Sequence, residues 1–147
     1  RYANPTMEGM ELPYAVRGMD LAVSGLLSAA QRLLENGTEL DEVCWSVQEH
    51  ALASFVEVAE RAMAHTGKSE LLLGGGVACN ERMRTMSNMM AMDREGSSHA
   101  PPKMYCIDNG TMIALLGFLE LQNRTTHLSQ SAINQYLRTD QTPIQWA

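Results

Sequence analysis

Leu71-Leu72-Leu73-Gly74-Gly75-Gly76-Val77-Ala78-Cys79-Asn80-Glu81-Arg82-Met83-Arg84 is the stretch that decides the fold. Three consecutive leucines predict a buried strand. Three glycines predict a turn after it, and helical spacing begins near Ala78. Strand, glycine turn and helix bring a backbone close to a phosphorylated ligand. Glycine has no Cβ, so a ligand can approach the main chain and φ can be positive. A helix start adds unpaired N–H groups and a partial positive charge. The same order of elements also makes an ordinary βα turn, and a short glycine motif does not separate the two. A second turn of similar character, Cys106-Ile107-Asp108-Asn109-Gly110, favours a ligand site.

Upstream of this stretch lies the longest predicted helix. It opens at Glu39 or Asp41, runs to about His65 and is stopped by Gly67. Val43, Val47, Ala51, Phe55, Val58 and Ala62 recur at steps of three and four, which predicts one buried face. Glu57 and Arg61 are spaced to pair on the outer face. At about 1.5 Å per residue the helix is roughly 37 Å long. Before it, residues 19–23 read as a short strand ended by Gly25. Residues 26–35 read as a helix closed by Asn36-Gly37, a common C-terminal stop. Residues 1–13 are irregular, with Pro5, Gly9 and Pro13 as breakers.

Downstream, a helix is expected from Ala78 to Arg94, with Met83, Met86 and Met90 on one face. Methionines at that spacing are read as core packing rather than soft-metal ligands. Residues 96–102 read as a loop and residues 103–106 as a short strand. Residues 109–121 read as a helix that is apolar almost all round, which predicts burial between layers. Pro143 argues against a terminal helix. Strands alternating with helices make this an α/β chain.

Composition excludes several functions. The chain has 147 residues, 45% hydrophobic content and a net charge of −6, with no dense Lys/Arg run. Nucleic-acid binding driven by phosphate neutralisation would need positive charge from elsewhere. Cys44, Cys79 and Cys106 are odd in number and lack CxxC spacing, so neither a disulfide framework nor a zinc ribbon is expected, and a reducing compartment is. No apolar run is long enough to span a bilayer. The first residue is Arg1 rather than Met, which suggests an excised or processed piece.

The residues that could carry chemistry are few. Asn80, about one turn past the glycines, can face a base or ribose, or can cap the helix. Asp108 can cap the next helix, or can ligate a metal at the edge of a sheet where ligands of α/β folds collect. Asn109 could take the cap and release Asp108. His50, His65, His99 and His127 are far apart, and neither HExxH nor Gly-x-Ser-x-Gly occurs. Ser24-Gly25 is a faint signal of a ligand-facing turn.

Four ordered motifs, taken together, resemble one family. They are Val16-Arg17-Gly18-Met19-Asp20 with Ser24-Gly25, Gly75-Gly76-Val77-Ala78-Cys79-Asn80, Cys106-Ile107-Asp108-Asn109-Gly110-Thr111-Met112-Ile113-Ala114 and Tyr136-Leu137-Arg138-Thr139-Asp140. The chain is similar to the tRNA threonylcarbamoyladenosine transferases from about Leu12 to Trp146. That family is the catalytic subunit of the KEOPS complex and was formerly called O-sialoglycoprotein endopeptidase, or glycoprotease. Its archaeal and eukaryotic cytosolic branch is the more similar one.

The resemblance implies one lobe of an actin-like, Hsp70-like (ribonuclease H-like) ATPase-type fold. Residues 1–13 would be a linker from an N-terminal lobe, and residues 14–147 the C-terminal nucleotide-binding lobe. It implies that Gly75, Gly76 and Asn80 hold the adenosine part of a nucleotide and that Asp108 ligates a metal. The cofactor would be one divalent ion, iron or zinc, shared with the N-terminal lobe, whose HxxxH pair this chain lacks. The partners would be threonylcarbamoyl-adenylate, tRNA and other KEOPS subunits, including a kinase-like one, with no membrane. The location would be the cytoplasm and also the nucleus. The piece alone would be inactive, and no side-chain nucleophile is required. A metallopeptidase of the glycoprotease type, a sugar-kinase or actin-like ATPase lobe and a non-catalytic docking scaffold are the alternatives.

Overall fold

A computed structural model describes residues 10, 12–123, 133–138, 141 and 142. It divides into two compact units, Arg1–Cys106 and Ile107–Ala147. The described residues form a helix-rich α/β structure with two small sheets.

The first unit opens with an antiparallel hairpin. Strand β1, Val16–Arg17, pairs with β2, Asp20–Leu21, in the register Val16↔Leu21 and Arg17↔Asp20. The strand expected over residues 19–23 is therefore shorter and has a partner just before it. Ser24 and Gly25 do not end a strand. They begin helix α1, Ser24–Glu35, which stops at Asn36 as its spacing predicts.

Helix α2, Leu40–Thr66, has 27 residues and spans about 40 Å. Gly67 closes it in the left-handed conformation at φ 64°. Of its predicted buried face only Val43 is fully buried. Phe55 is 42% exposed, and Val47, Ala51 and Ala62 are only half-buried. The buried residues are Val43, Ser46, Glu49, Leu52, Ser54 and Met63. The physical reason is that α2 packs on several sides at once, against α1, the hairpin, β3 and α3. A helix flanked in this way has no single apolar stripe, so small and polar residues share its interior positions. Glu57 and Arg61 do pair, but they are not simply solvated. The Tyr14 hydroxyl donates to the Glu57 carboxylate, and Arg61 Nη1 donates to the Gly18 carbonyl at 2.9 Å. The pair ties the hairpin to α2.

Strand β3, Glu70–Leu72, leads through the glycines into a 3-10 turn, Gly76–Cys79, and then helix α3, Glu81–Asp93. The helix thus starts three residues later than Ala78. The strand is not buried throughout. Leu73, just past its end, is buried, Leu71 is half-buried and Leu72 is 76% exposed. Alternation puts Leu72 on the opposite face from its two neighbours.

The partner of β3 is β4, Ser97–His99, where a loop was expected. The two strands are parallel, in the register Glu70↔Ser97, Leu71↔Ser98 and Leu72↔His99, with α3 as the crossover. Ser-Ser-His carries no apolar or β-branched signal, so only pairing with β3 defines it. Gly96 permits the approach: a Cβ there would lie 2.2 Å from the Ser69 carbonyl oxygen. The strand expected over residues 103–106 is instead a helical turn, α4, Lys103–Cys106. Pro101-Pro102 precedes it, and proline is well suited to a helix start.

Leu52, Leu73, Ala78, Met83 and Cys106 form the core around the turn, with Val56, Leu71, Cys79, Met86 and Ala100 packed against it. Met83 is thus a core methionine and Met86 packs partly buried against the core, whereas Met90, expected on the same face, is half-buried and lines a concavity instead. In the second unit, helix α5, Gly110–Asn123, has no buried residue. The expectation that it is buried fails here, because Met112, Ile113, Leu115, Leu116, Phe118 and Leu121 are all exposed. The tail residues 124–132, 139–140 and 143–147, with His127, Thr139, Asp140 and Pro143, lie outside the described residues. Residues 1–9 and 11 do too.

Candidate functional site

The glycine turn is open and conformationally special. Gly75 has φ 81° and ψ 172°, a conformation that side chains rarely adopt, and no atom lies within 4 Å of where its Cβ would stand. Gly74 and Gly76 also face open space. Among the described residues, the amide N–H groups of Gly74, Gly75, Gly76 and Val77 donate to no other residue. Four adjacent free donors on an exposed glycine backbone suit an anionic or hydroxylated ligand. A concavity of about 590 Å³ adjoins the turn, lined by Leu72, Leu73, Gly74, His99, Ala100 and Pro101. Another, of about 790 Å³, opens between α2 and α3 and is lined by Met86, Met89 and Met90 with Glu57, Glu60 and Arg94. None of its lining residues belongs to the glycine turn.

Asn80 closes the turn as the N-cap of α3. Its Oδ1 accepts from the Met83 N–H at 3.1 Å, and its Nδ2 donates to Gln48 Oε1 at 3.0 Å. The capping role weighed from the sequence is therefore real. One Nδ2 hydrogen remains for a ligand, since a primary amide has two. Next to it, Arg82 makes a bidentate pair with Glu49, Nε to Oε1 at 2.6 Å and Nη2 to Oε2 at 2.7 Å. The carboxylate raises the pKa of Arg82, and Glu49 is nearly buried in α2. Lys103 pairs with Glu81 at 2.5 Å and, by hydrogen bonding and charge, lowers its carboxyl pKa.

Arg84 reaches further. Its Nε donates to the Ala78 carbonyl at 2.5 Å, and its Nη2 donates to the Pro101 carbonyl at 3.0 Å and to Cys106 Sγ at 3.6 Å. The three cysteines are free thiols.

In the second unit, Asn109 takes the cap of α5. Its Oδ1 accepts from the Met112 N–H at 3.0 Å, and its Nδ2 donates to the Ile107 carbonyl at 3.0 Å. Asp108 is exposed and makes no hydrogen bond or ion pair among the described residues. It is thus available as a ligand, but as one ligand only. No group of three His, Cys, Asp or Glu side chains comes together among the described residues. Among these residues no helix is long and apolar enough to cross a membrane.

Gln48, Glu49 and Arg84 were not singled out from the sequence. One signal was present. Arg82 and Arg84 sit in the first turn of α3, where cations oppose the helix dipole. Arginines in so unfavourable a place imply partners outside the helix.

An α/β chain with an open glycine turn before a capped helix start can seat an anionic or hydroxylated ligand on its backbone. Comparison with known proteins is more specific. The family model for TsaD, tRNA N6-adenosine threonylcarbamoyltransferase, matches residues 1–115. The chain is 46% identical over 138 residues to the "tRNA N6-adenosine threonylcarbamoyltransferase" of Methanocella arvoryzae, covering 93% of this chain and 42% of that protein. It is 44% identical over 143 residues to the "Probable tRNA N6-adenosine threonylcarbamoyltransferase" of Dictyostelium discoideum, covering 93% and 43%. It is 45% identical over 138 residues to the "Probable bifunctional tRNA threonylcarbamoyladenosine biosynthesis protein" of Methanocaldococcus jannaschii, covering 93% and 26%. The chain belongs to the tRNA N6-adenosine threonylcarbamoyltransferase family. It spans less than half the length of these relatives.

Proposed function

We propose that this chain is the C-terminal, nucleotide-binding lobe of a tRNA threonylcarbamoyladenosine transferase with an actin-like, ribonuclease H-like fold. Residues 1–13 lead in from an N-terminal lobe, and residues 14–147 make up the lobe itself. The observation that carries the reading is the family match over residues 1–115, which includes the open glycine turn and Asp108. The complete enzyme transfers threonylcarbamoyl from threonylcarbamoyl-adenylate to the exocyclic amine of an adenosine beside the tRNA anticodon. The amine nitrogen forms a bond to the carbamoyl carbon, the bond to AMP breaks, and the amine loses a proton. AMP is already a good leaving group, so this chain needs no nucleophile of its own.

In that reaction Gly75 and Gly76 seat the adenosine part of the adenylate, and the free N–H groups of residues 74–77 meet its oxygens. Asn80 offers its remaining amide hydrogen to the same ligand. Asp108 is one ligand of a divalent ion, iron or zinc, completed by residues outside those described. When bound, such an ion polarises the acyl group and offsets charge on the leaving phosphate. The piece alone does not complete the site. The acidic chain, at −6, leaves much of the tRNA contact to other parts of the enzyme and to partner KEOPS subunits, including a kinase-like one. The enzyme would work in the cytoplasm and also in the nucleus.

The test is reconstitution of the full-length protein with its partner subunits, tRNA and threonylcarbamoyl-adenylate. Appearance of threonylcarbamoyladenosine in the tRNA, with AMP released in equal amount, is the expected result. ATP hydrolysis or peptide cleavage without tRNA modification would refute the proposal.

A further inference from the structure

We infer that Arg84 is a positioning residue that locks the turn after the glycines to the 101–106 segment, so that a nucleotide seated on that turn is held in the geometry needed for transfer. The inference rests on the transferase reading above. One guanidinium contacts three separate parts of the first unit. It binds the Ala78 carbonyl, in the 3-10 turn that follows the glycines. It binds the Pro101 carbonyl, at the entrance to α4. It touches the thiol of Cys106, the last residue of α4, two residues before Asp108. No carboxylate pairs with Arg84 among the described residues. Its donors are spent on backbone carbonyls instead, the use to which a planar, multi-donor fork is suited and a single ammonium is not.

The surrounding contacts support the same junction. Cys79 Sγ lies 3.6 Å from the Lys103 carbonyl, and Cys106 Sγ lies 3.5 Å from the Pro101 carbonyl. Lys103 of α4 pairs with Glu81 of α3. Each of these is a thiol contact or an exposed pair. Among the described residues, Arg84 alone hydrogen-bonds from the turn to both ends of the 101–106 segment. The turn keeps its glycines whether or not Arg84 is present. Loss of the clamp should therefore spare adenylate binding and impair the geometry of transfer.

The experiment uses the full-length enzyme with its partner subunits and compares wild type, Arg84→Lys and Arg84→Met. Amide hydrogen exchange is followed at residues 78–80 and 103–106, which carry the hydrogen-bonded amides of the two segments, and transfer is measured against threonylcarbamoyl-adenylate concentration. In Arg84→Lys, exchange should rise in both segments together. The kcat should fall about 10–100-fold, the scale expected for a misplacement of about 1 Å. The KM for the adenylate should stay near the wild-type value. Arg84→Met should do the same or unfold. A wild-type kcat in folded Arg84→Lys, or loosening confined to one segment, would overturn the inference.

Should both variants unfold, the wild-type enzyme decides: adenylate binding should slow exchange in 103–106 along with 74–80, and protection of 74–80 alone would overturn the clamp. A wild-type enzyme that neither binds the adenylate nor modifies tRNA refutes the transferase reading instead. The joint rise in exchange in Arg84→Lys would then still report on the clamp.

Discussion

Asn80 and Asp108 pose the same question at two places in the chain, and the structure answers it in opposite ways. Each follows a turn and precedes a helix, and each could be a cap or a ligand. Asn80 is a cap, with its oxygen on the Met83 N–H and its nitrogen on Gln48. Asp108 is not, because Asn109 beside it takes that role. The first segment is prepared by its own surroundings, with Arg82–Glu49, Arg84 and Lys103–Glu81 around it. The second presents a carboxylate with no partner among the described residues and a helix with no buried face. A residue whose hydrogen bonds are already made can be tested through stability. A residue with none can be tested only through function.

The largest expected effect is at Asp108. In the reconstituted full-length enzyme, Asp108→Asn should cut transfer by orders of magnitude and lower bound metal, while the melting temperature barely moves. On the proposed reading it removes a charge from the ion's coordination shell, and it breaks no contact among the described residues. Wild-type turnover would show that both segments are structural and erase the contrast.

Next is the core beneath the turn. Leu52→Ala should cost about 2–5 kcal/mol in denaturant unfolding of the full-length protein, because Leu52 is buried in the cluster with Leu73, Ala78 and Met83. Phe55→Ala, on an exposed part of the same helix, should cost far less, about 1 kcal/mol. Equal losses would mean that the two faces of α2 are wrongly distinguished.

Asn80→Ala should cost about 1 kcal/mol of stability through the lost cap. It should also weaken adenylate binding, by about 1–3 kcal/mol if the free amide hydrogen meets the ligand. Asn80→Asp sharpens the point. It should keep the cap, since aspartate caps as well as asparagine, yet lose the donor. Adenylate affinity unchanged in both variants, measured by calorimetry, would confine Asn80 to capping.

The smallest effect concerns Glu81. Lys103 holds its carboxyl pKa below the ordinary value of 4.5. A depressed carboxyl pKa contributes stability above the unfolded value, and that stability is lost as pH falls through the folded value. The melting-temperature difference between wild type and Lys103→Met should therefore be present above pH 4.5 and close below it. Both side chains are exposed, so the difference should be slight. A gap that persists in acid would assign the effect of Lys103 to packing.

Much of the helical framework was legible. The ends of α1 and α2 follow from Asn36-Gly37 and Gly67, because stop signals are local chemistry. The glycine turn, the capping roles open to Asn80 and Asn109, and the pairing of Glu57 with Arg61 are local as well. What was not legible is long-range. Strand β4 is Ser-Ser-His and exists because β3 pairs with it. The true interior of α2 includes Ser46, Glu49 and Ser54, since neighbours on several sides select those positions. Gln48 and Glu49 lie more than thirty residues from Asn80 and Arg82, and no periodicity links them. Arg84 gave only the indirect signal of a cation in the wrong turn of a helix.

The most direct test is a structure of the full-length enzyme with a non-transferable analogue of threonylcarbamoyl-adenylate bound. The adenosine part should lie against Gly75 and Gly76, at least one amide of residues 74–77 should donate to the ligand, and Asp108 should ligate the metal. An adenylate bound with no contact to the glycine turn, or a metal centre that excludes Asp108, would contradict it.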